Sequence, residues 1–329
     1  MPCNSTFYHL SNPSWNYVFG AINVFIAPTA SISNALVLFL IFWYTTLHTL
    51  SNKILASLAV SDFFVGLILS PMHAAQLLNE NMDHNCSLDQ VRRYLSVLLI
   101  GSSAFTIGAV SYDRYLHMTK LQNYNLHMTQ RKMSIILAIS WLTPAIIPIF
   151  RKIDESEALY SAIIVVYVCL MLGILAFCYV FTLIALKGKS RWRTSEPQTA
   201  HRQVRATKTV IILLTCHVAA SLPIMTYHII HVTDTNHRVS QETRSGLYVC
   251  GQTVAMFNSS INPLIYYLRN PTMRRCLLKL LKRDFYQAHE AGSQRGNGKR
   301  ESTLSYENRI SQTPSASCIG NTDIETPRL

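Results

Sequence analysis

The sequence predicts an all-α membrane protein, a bundle of seven transmembrane helices with its N-terminus outside and a short amphipathic eighth helix. Three observations predict this fold: the composition, the length of the apolar blocks and the placement of the basic residues. Of the 329 residues, 49% are hydrophobic and 14% are charged, whereas soluble domains carry about 25% charged residues. The apolar residues form continuous blocks and lack the polar stripes of soluble amphipathic helices.

Each apolar block is long enough, or nearly long enough, to cross a bilayer, which takes about 20 residues. Helices are expected because a segment in lipid must satisfy its own backbone hydrogen bonds. The fourth block, residues 133–150, is short, but its length is close to the minimum for crossing a bilayer. The blocks are residues 18–44, 54–78, 94–118, 133–150, 158–186, 209–232 and 246–268.

Lysine and arginine set the orientation. With the N-terminus outside, 22 of the 29 basic residues fall in cytoplasmic loops and the tail, and six fall outside. This bias follows the positive-inside rule. It also explains the formal net charge of +12, which faces anionic lipid and an acidic partner, so nucleic acid need not be invoked. Met1–Gly20 lacks the features of a signal peptide, and the first helix is expected to direct insertion.

The chain then divides into four parts, and the last is Gly-, Ser-, Asn- and Lys-rich, as in disordered segments. The parts are an extracellular N-terminus (1–17), the bundle (18–268), an amphipathic membrane-surface helix (269–286) and a cytoplasmic tail (287–329). Asn4 begins the triplet Asn-Ser-Thr and is a predicted glycosylation acceptor.

Polar residues inside the spans mark the functional interior. Asp62 lies mid-span, where a carboxylate costs a few kcal/mol and is expected to face the bundle. Asn34, Asn258 and Asn262 are also mid-span, and four polar positions on three spans suggest one wet cluster. Arg114 lies at the membrane boundary, where its neighbour Asp113 can pair with it. An anchoring pair at the interface is the alternative interpretation.

These features resemble the rhodopsin-like (class A) G-protein-coupled receptors over about residues 18–285. "SNALVL" and "LASLAVSDFF" resemble the asparagine and aspartate motifs of the first and second helices, and "NPLIY" resembles the seventh-helix motif. "RNPTMRRCLLKLLKRDF" resembles the eighth helix, and Trp141 lies at the fourth-helix tryptophan position. The resemblance implies an activation switch that opens a cavity for a heterotrimeric G protein. The switch residues would be Asp113, Arg114, Tyr115, Tyr179, Asn262, Pro263 and Tyr266.

The resemblance also implies a sodium pocket around the mid-span carboxylate, with the ion acting allosterically; no other cofactor is expected. Hard cations prefer such oxygen-rich sites. Its residues would be Asp62, Ser103, Asn258, Ser259 and Asn262.

Several positions depart from the family pattern. Asp89 stands where most members have the cysteine that ties the third helix to the second extracellular loop. Cys86 could instead pair with Cys3 or Cys250, or remain free. Ser221 replaces the sixth-helix tryptophan and Met171 the fifth-helix proline. The short loop between the fourth and fifth spans, the missing disulfide and Met171 together resemble the melanocortin, cannabinoid and lysophospholipid branch.

The predicted ligand pocket is largely apolar with neutral hydrogen-bonding groups, which favours a peptide, lipid or nucleoside ligand over a monoamine. Ser96 stands where amine receptors have an aspartate, and Met256 stands where opsins have the retinal-binding lysine. The pocket residues would be Ser96, Val97, Ile100, Tyr167, Met225, His228 and Gln252. The pair His228 and His231, one turn apart, could alternatively hold a metal or sense pH.

Further partners follow from the cytoplasmic segments. The serines and threonines of the tail are expected to be phosphorylated by receptor kinases and to recruit arrestin, and Cys276 is a candidate for lipidation. A plasma-membrane location is expected. The alternative from another class is a multi-span channel or transporter, which predicts charged or broken helices and an internal repeat. No enzyme is predicted, because metal-ligand spacing, a nucleophile elbow and a phosphate loop do not occur in the sequence.

Overall fold

A computed structural model describes residues 10–79, 86–119, 123–153, 157–187, 197–234 and 238–281. This part of the chain is helical and contains no strand, so the predicted helical bundle is confirmed. The long helices are α1 Pro13–Trp43, α2 Leu50–Leu78, α3 Cys86–Thr119, α4 Gln130–Ile153, α5 Glu157–Lys187, α6 Pro197–Thr233 and α7 Gln241–Arg269. The shorter α8 covers 271–281. Two single turns, Thr45–Leu47 and Tyr124–His127, follow α1 and α3. Asn4, Cys3 and the phosphorylation sites of the tail lie outside the described residues.

Asparagine side chains begin the first and last helices. Asn12 accepts a hydrogen bond of 2.9 Å from the Ser14 N–H, and Pro13 follows at the first helical position. Asn270 ends α7 and accepts from the Thr272 N–H at 3.1 Å, which starts α8. Side chains of this type satisfy the N–H groups that a helix start leaves without partners.

Six of the described helices, α1 to α6, are long and apolar enough to cross a membrane. The seventh predicted span is also a helix, but α7 is less apolar than the sequence interpretation assumed. It carries Glu242 and Arg244 in its first turns and buries Gln252 and Asn262 further along. These polar side chains are tolerated because α7 packs between α1 and α6.

The third helix is the centre of the bundle, since α3 packs against α2, α4, α5 and α6. The largest hydrophobic cluster fills the cytoplasmic half and includes Leu58, Ile107 and Leu213. On the outer side α6 and α7 approach so closely that a Cβ on Gly251 would lie 2.7 Å from the Ile224 nitrogen. Only glycine, which has no Cβ, permits this contact. Gly251 therefore allows the backbones of α6 and α7 to approach each other closely at this point.

One irregularity in α2 follows Asp62 directly. Residues Val65–Leu69 form a π-helical turn, a feature that is frequent at functional sites. Beyond it, the Ser70 hydroxyl donates to the Asn23 carbonyl oxygen at 2.9 Å, and Asn23 Nδ2 donates to Thr253 Oγ1 at 2.9 Å. The outer halves of α1, α2 and α7 are therefore joined by a polar contact that the sequence analysis missed.

Candidate functional site

The seven residues predicted to form the ligand pocket all line one cavity in the outer half of the bundle, here named the chamber. They come from α3, α5, α6 and α7, and they are Ser96, Val97, Ile100, Tyr167, Met225, His228 and Gln252. The sequence analysis did not assign the other lining residues, Gly101, Ala104, Ile164, Val168, Met171, Leu172, His217, Ser221, Ile224 and Ala255. None of these lining residues is an acid, a lysine or an arginine. The chamber thus combines apolar walls with a few neutral polar groups.

Three polar atoms of the chamber have no hydrogen-bond partner in the structure. They are Ser96 Oγ, the Tyr167 hydroxyl and Gln252 Oε1, and each is buried. A buried polar atom left without a partner costs roughly 1–3 kcal/mol. Such atoms are rare in folded proteins unless a ligand or water satisfies them. The chamber is therefore built to hydrogen-bond a molecule.

A glycine on α3 makes room for one of these groups. A Cβ on Gly101 would lie 2.9 Å from the Tyr167 hydroxyl and 2.7 Å from Pro144 Cβ. Both distances are shorter than carbon contacts allow, so any larger residue would displace the tyrosine or α4. The sequence analysis missed Gly101, because an isolated glycine in a long helix carries no signal of what lies beside it.

Asp62 is the centre of a buried polar cluster deeper in the bundle. Its Oδ1 accepts hydrogen bonds from Ser103 Oγ at 2.7 Å and from Ser259 Oγ at 2.8 Å. Its Oδ2 accepts from Asn262 Nδ2 at 2.7 Å. Asn34 lies beside the cluster and donates to the Ser259 carbonyl at 3.0 Å. Four of the five residues predicted for the sodium pocket are thus brought together, by α2, α3 and α7.

The fifth residue, Asn258, makes no hydrogen bond to Asp62, and its place in a sodium pocket stays a prediction. It lies one turn nearer the outside than Asn262, and its Nδ2 is 3.4 Å from His217 Nδ1 on α6. His217 lines the chamber. Asn258 therefore lies between the chamber wall and Asn262 of the polar cluster.

The predicted switch pair is closed. Arg114 Nη2 lies 2.8 Å from Asp113 Oδ2. Two further groups donate hydrogen bonds to the Asp113 carboxylate: Ser51 Oγ at 2.8 Å and the Tyr124 hydroxyl at 2.6 Å. Burial and the Asp113 charge raise the pKa of Tyr124 above its ordinary range, so the hydroxyl remains a donor at neutral pH. The Asp113–Arg114 contact is the one that the resemblance predicts for a resting state.

The tyrosines of the switch are not gathered around Arg114 in this state. Tyr266 is buried in the cytoplasmic cluster, and its hydroxyl has no hydrogen-bond partner. Tyr179 packs partly buried against the same cluster. Tyr115 faces the Phe181 ring edge-on at 5.9 Å. A rearrangement of α5 and α7 would be needed to bring Tyr179 and Tyr266 together with Arg114. Pro263, inside α7, removes one backbone hydrogen bond there.

An ionic cluster secures the outer end of α3. Asp89 accepts hydrogen bonds of 2.7 Å from both Arg92 Nη2 and Arg93 Nε, and Arg92 also donates to the Tyr248 hydroxyl of α7 at 2.9 Å. Cys250 is a free cysteine, so the predicted alternative of a Cys86–Cys250 disulfide is wrong.

The two neighbouring histidines of α6 contact different partners. His228 Nδ1 lies 3.2 Å from Ser161 Oγ on α5, whereas His231 Nδ1 lies 3.3 Å from Arg244 Nη1 on α7. This separation favours a pocket role for His228 over a shared metal ion.

Cys276 is fully buried, with its side chain packed between α8 and the cytoplasmic cluster. Its sulfur is disulfide-bonded, so lipidation of Cys276 stays a prediction, and it would require this bond to be reduced and the sulfur to become exposed.

The model of the family described as "7 transmembrane receptor (rhodopsin family)" matches residues 33–153 and 148–266. Because these matches cover most of the chain, the protein belongs to this family. It is a multi-pass membrane protein and a G-protein-coupled receptor, which binds an extracellular ligand and activates a heterotrimeric G protein. The channel or transporter alternative is therefore not retained.

Individual relatives are distant and have different names. A melanopsin of Rutilus rutilus is 24% identical over 81% of this chain, which spans 58% of the melanopsin. Trace amine-associated receptor 8b of Rattus norvegicus is 24% identical over 81% of this chain and 87% of the relative. Tachykinin-like peptides receptor 86C of Drosophila melanogaster is 22% identical, with coverages of 81% and 58%.

Among solved structures, squid rhodopsin matches with a TM-score of 0.72 and 15% identity. The match covers 84% of this chain and 89% of the rhodopsin, and it shows the fold alone.

Proposed function

We propose that this receptor acts at the plasma membrane and recognises a ligand with an apolar body and neutral hydrogen-bonding groups. A lipid, a nucleoside or the apolar part of a peptide has this chemistry. The observation that carries the proposal is the convergence of Ser96 Oγ, the Tyr167 hydroxyl and Gln252 Oε1, all without partners, on one otherwise apolar chamber. A ligand that supplies one acceptor and one donor would remove the cost of leaving these groups unsatisfied.

A monoamine is disfavoured, although some relatives are named as amine receptors. Ser96 stands in place of the aspartate that pairs with an ammonium, and the residues lining the chamber include no acid. An ammonium buried without a counter-ion is costly. Retinal is disfavoured as well, because Met256 replaces the lysine and is buried among Leu69 and Leu99, outside the chamber lining.

The ligand would act by favouring the open state of the cytoplasmic side. His217 and Asn258 lie between the chamber and the Asp62 cluster, so a shift of α6 around the ligand would reach Asn262 and then Tyr266. Release of Arg114 from Asp113 would complete the switch and expose the G-protein cavity.

Sodium is the proposed allosteric ion of the resting state. Asp62 supplies a fully buried carboxylate, and the hydroxyl oxygens of Ser103 and Ser259 keep lone pairs while they donate to it. The residues present therefore fit a hard cation. Bound sodium would supply positive charge that holds α2, α3 and α7 together, and its loss would favour activation.

The test is a panel of biogenic amines and neutral lipids, nucleosides and peptides on cells that express the receptor, with second messengers as the readout. Wild type should not respond to simple monoamines, whereas Ser96→Asp should gain an amine response because it restores the counter-ion. Ser87→Asp, at an exposed position of the same helix, is the matched control and should gain none. Potent activation of wild type by a monoamine would contradict the proposal.

The tail is the proposed site of regulation: receptor kinases would phosphorylate it, and arrestin would then bind it. The motivating residues are Ser302, Thr303, Ser305, Ser311, Thr313, Ser315 and Ser317. Phosphates there would add strong negative charge for a basic partner. Truncation after Gln287 should slow desensitisation and abolish arrestin recruitment, and normal desensitisation of the truncated receptor would argue against this role.

A further inference from the structure

The inner end of the chamber carries a polar ring, that of His217 on α6. This side chain is 6% exposed and lines the chamber. Its Nδ1 lies 3.4 Å from Asn258 Nδ2, which has hydrogens to donate. Nδ1 is then the acceptor, and the proton of the neutral imidazole is on Nε2. Because Nε2 has no hydrogen-bond partner among the described residues, it can donate to a molecule in the chamber.

Ser221 places an acceptor beside this donor. It lies one turn further out on α6 than His217, on the same face of the helix, and it also lines the chamber. Its hydroxyl donates to the His217 carbonyl oxygen at 2.8 Å, so the proton is used and the lone pairs can still accept. The inner end thus presents a donor and an acceptor together. A ligand hydroxyl is complementary to both, because its single oxygen donates and accepts.

Small side chains open the chamber to this depth. Ala104 of α3 and Ser221 of α6 both line its inner part. Ser221 stands where the family pattern has a tryptophan, and an indole at this position would fill much of the space beside His217. In this receptor a ligand can occupy that space and reach the ring directly.

The outer end of the chamber has polar groups of its own, Ser96 Oγ and Gln252 Oε1, which are buried without partners. Gln252 lies six residues before Asn258 on α7, which separates them by about 9 Å along the helix. Since His217 contacts Asn258, a similar length separates the polar groups of the two ends. The wall between the ends is largely apolar and carries the Tyr167 hydroxyl. The chamber is therefore polar at both ends.

We propose that the ligand is a neutral, elongated molecule with a hydrogen-bonding group at each end, and that a hydroxyl at its inner end pairs with His217 Nε2 and Ser221 Oγ. This inference rests on the proposed function, since it takes the chamber as the ligand site. A lipid with a single polar head would place its tail against His217 and leave a buried N–H without a partner, which is costly. A nucleoside, or a lipid hydroxylated at its far end, has polar groups at both ends.

The experiment measures the thermal stabilisation of the purified receptor in lipid nanodiscs by three probes with the same rigid body: biphenyl, para-phenylphenol and para,para′-biphenol. They carry no hydroxyl, one hydroxyl and a hydroxyl at each end. A ligand that binds the folded state raises the melting temperature. Biphenol should stabilise wild type at a concentration about fivefold or more below that of phenylphenol, because it makes one more set of hydrogen bonds. Biphenyl should be weaker than phenylphenol.

Variants locate the effect. His217→Phe keeps an aromatic ring without its nitrogens and should make biphenol no better than phenylphenol. His217→Gln should keep part of the preference, because its amide nitrogen can take the place of Nε2 as a donor. Thr226→Val, at an exposed position of the same helix, is the matched control and should leave the preference unchanged. If His217→Phe melts early without any probe, Ser221→Ala decides, and it should reduce the preference because it removes the acceptor.

The Ile100→Trp variant fills the chamber and separates the two proposals. Loss of stabilisation by every probe in this variant supports the chamber as the site. Equal stabilisation of wild type by biphenol and phenylphenol, with both effects lost in Ile100→Trp, would overturn the two-ended ligand alone. Stabilisation by biphenol that persists in Ile100→Trp would overturn the chamber, and with it the proposed function. An undiminished preference for biphenol in His217→Phe, or no effect of any probe on wild type, would overturn the pairing with His217.

Discussion

The Tyr124 hydroxyl donates a hydrogen bond of 2.6 Å to Asp113 Oδ1, which ties the short turn after α3 to the switch. The other oxygen, Oδ2, is held by Arg114 at 2.8 Å and by Ser51 of α2 at 2.8 Å. Two other segments of the chain, α2 and the turn after α3, thus hold Asp113, the carboxylate that pairs with Arg114. In the proposed resting state, Asp113 is therefore held by contacts beyond its pair with Arg114.

Tyr124→Phe should raise basal signalling. The substitution removes one donor to Asp113, worth about 1 kcal/mol, which corresponds to about a fivefold shift in the resting-to-active ratio. Basal second-messenger output at equal surface expression measures the effect. Tyr112→Phe, at an exposed position on α3 beside Asp113, is the control and should behave as wild type. Unchanged basal output in Tyr124→Phe would show that this bond does not restrain the switch.

Arg114→Ala should abolish G-protein signalling while the receptor still reaches the cell surface. The side chain lies at the cytoplasmic end of α3 and is not part of the apolar core, so the helix bundle should still form without it. Arg131→Ala, on the cytoplasmic start of α4, controls for the loss of a basic side chain and should still signal. Second-messenger output in Arg114→Ala that matches wild type would refute the switch role.

Agonist affinity should fall as sodium rises in wild type and should be insensitive to sodium in Asp62→Asn. The substitution keeps the shape of the side chain but removes the charge that would hold the ion between Ser103 and Ser259. Potassium or choline at equal ionic strength is the control for screening. Equal affinities in sodium and potassium for both receptors would mean that Asp62 serves only as a hydrogen-bonded hub.

The contacts of Asp234 with Arg238, Val239 and Arg244 should persist well into the acid range. Its carboxylate, Asp234, accepts hydrogen bonds from the Val239 and Arg238 N–H groups at 2.7 and 2.9 Å and pairs with Arg244. The backbone bonds, first that of Val239, lower the pKa of Asp234 below its ordinary value. A carboxyl group with a lowered pKa stabilises the fold above its unfolded pKa, and the effect is lost only as pH falls through the folded value.

Hydrogen exchange of the Arg238 and Val239 amides tests this loop. In wild type, protection should be constant from neutral pH down to about pH 4, the ordinary range of an aspartate, and should decline only below it. Asp234→Asn should exchange faster at every pH, whereas Glu242→Gln, an exposed acid in the first turn of α7, should not. Protection that already declines near neutral pH would contradict the lowered pKa.

The sequence by itself determined the class of fold and the place of the main functional residues along it. Long apolar blocks force helices, because lipid offers no hydrogen bonds to the backbone. Asp62, Arg114 and Asn262 stood out because polar residues are costly in such blocks. The order and spacing of these residues along the chain were enough to indicate the receptor family, and the family match agrees with it.

The tertiary structure decided which inward side chains meet. Asn258 faces His217 instead of Asp62, and Arg92 reaches Tyr248 across 156 positions of sequence. The chamber exists only where α3, α5, α6 and α7 converge around residues such as Ser96 and Gln252. The sequence could not predict these contacts, because each depends on how far a helix is rotated and where it crosses its neighbours. Lipid-facing and core-facing positions of these spans are both apolar, so hydropathy alone carries little information about rotation.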